Sequence, residues 1–264
     1  MTRVLHSVSE WRALQKELVS TSLGFIPTMG ALHAGHASLF QRSLAENQRT
    51  LASIFVNPTQ FNDPKDFERY PKTFESDLRL LNEVGVDYVF APTAAEMYPG
   101  GYVYSVQESQ ESLVLEGAHR PGHFTGMLTV VLKLLNIAKA TKAYFGEKDY
   151  QQLQLIRGMA KSFFIETEIV ACPTIREMDR LALSSRNRFL SPEQRILAPQ
   201  FYEVLNHSLS CEDAIQKLEA LGFEVDYVAE YWGRRLGAVK FGSLRLIDNV
   251  AYPGKEHHTY DSHA

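Results

Sequence analysis

Only two of the 264 residues are cysteines, Cys172 and Cys211, and they form no Cys-x-x-Cys pair. A disulfide framework or a thiolate zinc site needs more than that. An excess of positive charge is also missing. The chain carries 27 Lys+Arg against 31 Asp+Glu, a net charge of -4, so no bulk field draws it to nucleic acid or anionic lipid. Any polyanion must be held by a local site. No apolar run approaches the roughly 18 residues that suggest a membrane span. The opening Met1-Thr2-Arg3-Val4-Leu5-His6-Ser7 lacks the apolar centre of a signal peptide. The expectation is a cytoplasmic protein with neither a membrane nor a nucleic-acid partner.

With 45% hydrophobic and 22% charged residues, the chain can bury a real core in one large or two unequal domains. Ser7 and Glu10 form a capping-box pattern ahead of Trp11, Leu14 and Leu18, which predicts a first helix. Leu23–Pro27 is a compact apolar run that stops at the turn Pro27-Thr28-Met29-Gly30, as a buried strand does. Ala37, Phe40 and Leu44 share a helical face, and Leu51–Val56 is a second strand run. Helices over Glu75–Val84, Gly126–Ala138 and Tyr150–Ser162 alternate with strands over Val86–Phe90, Ala143–Phe145 and Thr167–Ala171. This alternation predicts an α/β fold, a parallel sheet with crossover helices, over residues 1–173. Ligands of such sheets bind beyond the strand carboxyl ends. From 174 to 264 the pattern changes. A polar stretch leads to a second capping box at Ser191-Pro192-Glu193-Gln194, then to two helical patterns broken at Pro199. Strand-like runs follow at Val225–Tyr231 and Val239–Ile247, together a smaller α+β domain. Lys255–Ala264 is polar and aperiodic, the pattern of a fraying end.

Three clusters carry chemistry. Thr28-Met29-Gly30-Ala31-Leu32-His33-Ala34-Gly35-His36 lies between the first strand and its helix. Its glycines admit a close ligand, the helix start offers NH groups, and the imidazoles of His33 and His36 can donate to phosphate oxygens. A glycine-rich turn with two surface histidines explains the same tetrapeptide about as well, whereas zinc finds no further ligands nearby. The second cluster, Phe145–Gln152, holds Lys148, a phosphate-sized point charge, and a carboxylate suited to a ribose hydroxyl, though a solvated turn would look the same. Ser184, Ser185, Arg186 and Asn187 form the third, with hydroxyl and guanidinium donors for phosphates or simply a polar cap. Asn57-Pro58-Thr59-Gln60-Phe61 offers two amides to a small hydroxy acid. His119 and His123 are expected on a loop because Pro121 and Gly122 separate them, and Cys172 is expected as a packed residue.

Taken in order, Pro27–His36, Phe55–Phe61, Tyr70-Pro71-Lys72-Thr73, Gly146–Gln152, Ser184–Asn187 and Arg245-Leu246-Ile247-Asp248-Asn249 resemble the pantoate–β-alanine ligase family of the His-x-Gly-His nucleotidyltransferase superfamily. The resemblance implies a Rossmann-like nucleotide-binding domain, a smaller C-terminal lid and a homodimer formed through the first domain. It implies a two-step reaction with ATP and Mg²⁺. Pantoate becomes an enzyme-bound pantoyl adenylate with release of pyrophosphate, and β-alanine then displaces AMP to give pantothenate. Carried over by position, His33, His36 and the main chain at Met29 contact the triphosphate, and Lys148 stabilises its charge. Ser184, Ser185 and Arg186 hold the β- and γ-phosphates. Gly146 and Asp149 hold ribose, Ile175 and Leu183 border the ATP site, and Gln60, Gln152 and Asn57 take pantoate. Asp77 is the implied magnesium ligand. Leu183 replaces a methionine common at that position, Ser76 interrupts an acidic pair, and Tyr227–Asp248 looks shorter than the usual stretch. A nucleotidyltransferase with a nucleotide-containing product is the competing enzyme class. A catalytically silent nucleotide-binding or dimer-forming protein is the third reading.

Overall fold

A computed structural model describes residues 1–242 and 244–252; the expected frayed end at Lys255–Ala264 lies outside the described residues. Contacts divide the chain into two compact units. The first is Met1–Glu147 with Gln151–Pro173, and the second is Lys148–Tyr150 with the chain from Thr174 onward. The long seam falls at Pro173. The three-residue contribution of Lys148–Tyr150 to the second unit is not visible in the composition of the chain.

In the first unit β1 (Arg3–Leu5) precedes α1 (Val8–Gln15), and β2 (Leu23–Thr28), α2 (Ala34–Glu46) and β3 (Arg49–Ile54) follow. Next come α3 (Pro64–Arg69), α4 (Phe74–Val84), β4 (Tyr88–Phe90), α5 (Ala94–Met97), α6 (Glu116–His119) and α7 (His123–Ala138). The unit ends with β5 (Lys142–Gly146), α8 (Tyr150–Ser162) and β6 (Glu168–Cys172). The six strands form one parallel sheet in the order β1-β4-β3-β2-β5-β6. Leu23, Phe25 and Ile26 are all buried although neighbours in a strand face opposite ways, which requires both faces of β2 to be covered. Ile26, Phe40, Ala52, Leu81, Val89 and Tyr144 pack in one core cluster.

The connection from β2 runs to β3 on one side, and the connection from β5 runs to β6 on the other, so the sheet order reverses between β2 and β5. A crevice opens at such a reversal beyond the strand carboxyl ends. There β2 leads into Met29–His36, β3 into Asn57–Gln60, and β5 ends at Gly146.

The second unit contains α9 (Pro192–Leu197), α10 (Pro199–His207), α11 (Cys211–Ala220) and the strands β7 (Glu224–Tyr231), β8 (Arg234–Phe241) and β9 (Leu244–Ala251). The strands make an antiparallel sheet in chain order. Phe201, Leu205, Leu218, Phe223, Val239 and Val250 form its core. The sequence predicts two strands here. The structure has three, because the run Val239–Ile247 is cut by a turn at Gly242 and shared between β8 and β9.

Candidate active site

The carboxyl end of β2 is fastened before it turns. The Thr28 hydroxyl donates to the Ser53 carbonyl at 2.8 Å and accepts from the Gly30 amide at 3.1 Å. Gly30 adopts φ +81°, and a Cβ there would stand 2.8 Å from a carboxylate oxygen of Asp77, so the position requires glycine. Asp77 is 3% exposed. Its Oδ2 accepts from the Ala31 amide at 3.0 Å and the Thr73 hydroxyl at 3.0 Å, and its Oδ1 accepts from the Leu32 amide at 2.8 Å. The sequence expects Asp77 on magnesium; in the structure both its oxygens accept from the loop ahead of His33, two hydrogen bonds on Oδ2 and one on Oδ1.

His33 is the N-cap of α2. Its Nδ1 accepts from the Gly35 amide at 3.1 Å, and Nδ1 of His36 accepts from the His33 amide at 3.3 Å. The two imidazoles thus serve as the two halves of a capping box, a task usually performed by hydroxyls and carboxylates. Their ring centroids are 4.1 Å apart. Because Nδ1 accepts, each neutral ring carries its proton on Nε2, which is then a donor suited to phosphate oxygens. The helix start adds the positive end of the α2 dipole.

Beyond β3, Gln60 is held from two sides. Its Oε1 accepts from Asn57 Nδ2 at 3.0 Å, and its Nε2 donates to the Met29 sulfur at 3.2 Å. Asn57 is 1% exposed. Its Nδ2 also donates to the Gly126 carbonyl at 3.2 Å, and its Oδ1 accepts from the Tyr98 hydroxyl at 2.7 Å and the Thr59 hydroxyl at 3.1 Å. The sequence expects Asn57 on the hydroxy acid. In the structure its polar atoms are used inside the protein, one of those bonds going to Gln60. At Gly126 a Cβ would meet the Thr59 carbonyl oxygen at 2.2 Å, so this glycine lets α7 lie directly against the Asn57–Gln60 turn.

Sequence reasoning missed His123. It is the first residue of α7 rather than part of a loop, it is buried, and its Nδ1 meets the Gln60 carbonyl at 2.8 Å, with Arg120 at 3.1 Å from its Nε2. The signal was available, since Gly122 stands just before the apolar run of α7 and marks its start. Of the two adjacent glutamines, Gln151 is fully buried and tied to the Glu111 and Val114 carbonyls and the Glu116 amide. Gln152 is half-buried, and its side-chain amide bonds to no described residue. Cys172 is buried, as expected of a packed residue, and burial pushes its thiol above the ordinary range.

Within the second unit, Lys148, Ser184, Arg186, Arg245 and Asp248 line one cavity. Asp248 is neutralised by a two-pronged pair with Arg176, 2.7 and 2.9 Å, and Arg245 is engaged by Asp226 at 2.6 Å. Lys148 and Arg186 pair with no carboxylate among the described residues. Two uncompensated cations and a serine on one cavity suit a polyanion. The Ser184 hydroxyl accepts from the Arg186 amide at 3.2 Å, and the Leu183 amide donates to the Ile175 carbonyl at 2.9 Å, which closes the loop just ahead of Ser184 and Ser185. Asp149 is exposed. The structure therefore joins Met29, Asn57 and Gln60, pairs His33 with His36, and gathers Lys148 with Ser184 and Arg186.

The family model described as pantoate-beta-alanine ligase matches residues 3–251. A pantothenate synthetase of Legionella pneumophila (strain Lens) is 52% identical over 248 residues, 94% of this chain and 98% of the relative. The solved pantothenate synthetase of Thermus thermophilus superposes with a TM-score of 0.89 at 42% identity, covering 96% of this chain and 100% of that one. A pantoate-beta-alanine ligase of Francisella tularensis, complexed with beta-gamma ATP and beta-alanine, gives a TM-score of 0.90 at 40% identity, over 95% and 98%. The matches run essentially the length of each relative. Among the described residues no helix is long and apolar enough to cross a membrane.

Proposed function

The chain belongs to the pantoate-beta-alanine ligase family, and on that premise we propose how its residues divide an ATP-dependent condensation of pantoate with β-alanine. The carboxylate oxygen of pantoate attacks the α-phosphorus of ATP, and the bond to pyrophosphate breaks. The neutral amine of β-alanine then attacks the carbonyl carbon of the pantoyl adenylate, AMP leaves with the bonding pair, and the nitrogen gives up one proton to solvent as the amide forms. Negative charge accumulates on phosphate oxygens in the first step, so preorganised donors lower its barrier.

The observation that carries this reading is the pair of imidazoles capping α2 beyond the switch point of the sheet. His33 and His36 supply Nε2–H donors and Met29 its main chain. Lys148, with Ser184, Ser185 and Arg186, supplies the remaining charge and hydrogen bonds to the phosphates. Gly146 and Asp149 are assigned to ribose, and Ile175 and Leu183 to the adenine side. Pantoate falls to Gln60 and Gln152, with Asn57 and His123 holding Gln60 in place. Magnesium accompanies ATP in this reading. Asp77 holds the loop ahead of His33, and no step is assigned to the metal. The homodimer implied by the sequence is supported by the largely exposed run Tyr102-Val103-Tyr104 on the first unit. A cytoplasmic location goes with the same reading.

The test is to incubate the protein with Mg-ATP and pantoate, with and without β-alanine, and to follow AMP, pyrophosphate and pantothenate together. Equal amounts of AMP and pantothenate, formed only with β-alanine, are expected. A nucleotide-containing product would place the chain with the nucleotidyltransferases instead.

A further inference from the structure

Lys148, assigned above to the phosphates, sits on a three-residue segment whose main chain has to be fixed from outside its own turn. Glu147–Asp149 is a single 3-10 turn between β5 and α8, too short to be rigid by itself. Lys148 is only half-buried, so packing does little to define its stem. The second unit supplies the missing constraint. Asn249 on β9 is 2% exposed, and its Nδ2 donates to the Lys148 carbonyl at 3.0 Å. Its Oδ1 accepts from Arg234 Nη1 at 3.0 Å, which fixes which end of the amide faces the lysine. The Arg234 guanidinium lies 4.4 Å over the Tyr150 ring, and the Trp232 ring stands at a tilt 6.4 Å from the same tyrosine. Lys148 and Tyr150 are thus gripped on either side of Asp149 by β8, β9 and the turn between β7 and β8.

We propose that Asn249 is a positioning residue for the adenylation step, holding the Lys148 main chain so that Nζ meets the phosphate during transfer. The inference rests on the assignment of Lys148 made above. A catalytic group displaced by about 1 Å can lose a hundredfold in rate. The loss of one anchoring hydrogen bond at the upper end of its usual worth, about 1.4 kcal/mol, is a roughly tenfold effect.

The experiment is a double-mutant cycle read by single-turnover adenylation with the full chain, Mg-ATP and pantoate. Asn249→Asp keeps the acceptor for Arg234 and removes the donor to Lys148. Adenylation about tenfold slower, with the KM for pantoate and the melting temperature unchanged, is expected. Lys148→Ala should slow the step by at least about a hundredfold, and adding Asn249→Asp to it should cost nothing more, because the anchor then has no catalytic group to place. Lys148→Ala at a near-normal rate overturns the assignment of the lysine itself. If Lys148→Ala is slow but the double variant is slower by the product of the two single effects, the lysine stands and the positioning role of Asn249 falls. Arg234→Met, which leaves Asn249 in place but frees its amide, is the second variant and should move the rate in the same direction. Failure of both Asn249→Asp and Arg234→Met to fold would show a folding determinant and overturn the proposal.

Discussion

Asp77 shows how much the job of a side chain depends on partners far away in the sequence. A carboxylate at this position suggests a metal, yet this one accepts three hydrogen bonds, from Ala31, Leu32 and Thr73. Asn57 is the same case with an amide, and in the Gln151-Gln152 pair the two neighbours part company because one faces the Glu111–Glu116 segment. The chemistry of these residues was legible from their type. The direction of their hydrogen bonds was set by segments roughly 35 to 70 positions away, beyond any local pattern. Asp77→Asn leaves one oxygen where two are used, so a buried amide at Ala31 or Leu32 loses its acceptor. The expected cost is about 1–3 kcal/mol in urea unfolding, together with a raised KM for ATP. The magnesium concentration at half-maximal rate should stay where it is, and a rise in it would return Asp77 to the metal.

Helices and strands were the most legible level, and their exceptions have physical causes. The boxes at Ser7 and Ser191 form as their spacing predicts. β1 was not foreseen because three residues, Arg3–Leu5, carry no alternation to read. β2 continues through Pro27 to Thr28 although proline interrupts most ladders. The β5 side of β2 is paired at Gly24 and Phe25, so a residue without an NH is tolerated further along. The far end of α2 yields a pH-dependent prediction. Glu46 accepts from Arg42, Lys142 and the Tyr144 hydroxyl, which ties α2 to β5. The Arg42 guanidinium first, then Lys142, lower its carboxyl to about 2. A depressed carboxylate contributes fully above its unfolded value near 4.5 and loses that contribution as pH falls from there through 2. The gap in unfolding midpoint between the unaltered chain and Glu46→Gln should therefore be constant at neutral pH and close between about pH 4.5 and 2. A gap that widens on acidification would count against the tie.

At the scale of the whole molecule each of the two compact units has apolar packing of its own, so unfolding should proceed in two transitions rather than one. Arg235 can tell them apart. It is fully buried in the second unit, paired with Glu230 at 2.8 Å and donating to the Leu205 and Ser208 carbonyls at the end of α10. Arg235→Ala takes the donor from the Leu205 and Ser208 carbonyls and leaves a partly exposed Glu230 unpaired, and a buried acceptor left unsatisfied costs about 1–3 kcal/mol. Scanning calorimetry with hydrogen exchange should show the transition of the second unit lowered and that of the first unchanged. A uniform loss across both would mean that the chain unfolds as one body.

The return of the chain through Lys148–Tyr150 also bears on inheritance. The smaller unit is not a contiguous cassette that a single crossover at Pro173 could replace, since three of its residues are encoded in the middle of the larger one. A chimaera that joins this first unit to the second unit of a relative would set a foreign β9 against the native lysine turn. Recombination within the family is then tolerated only where both ends of that contact travel together.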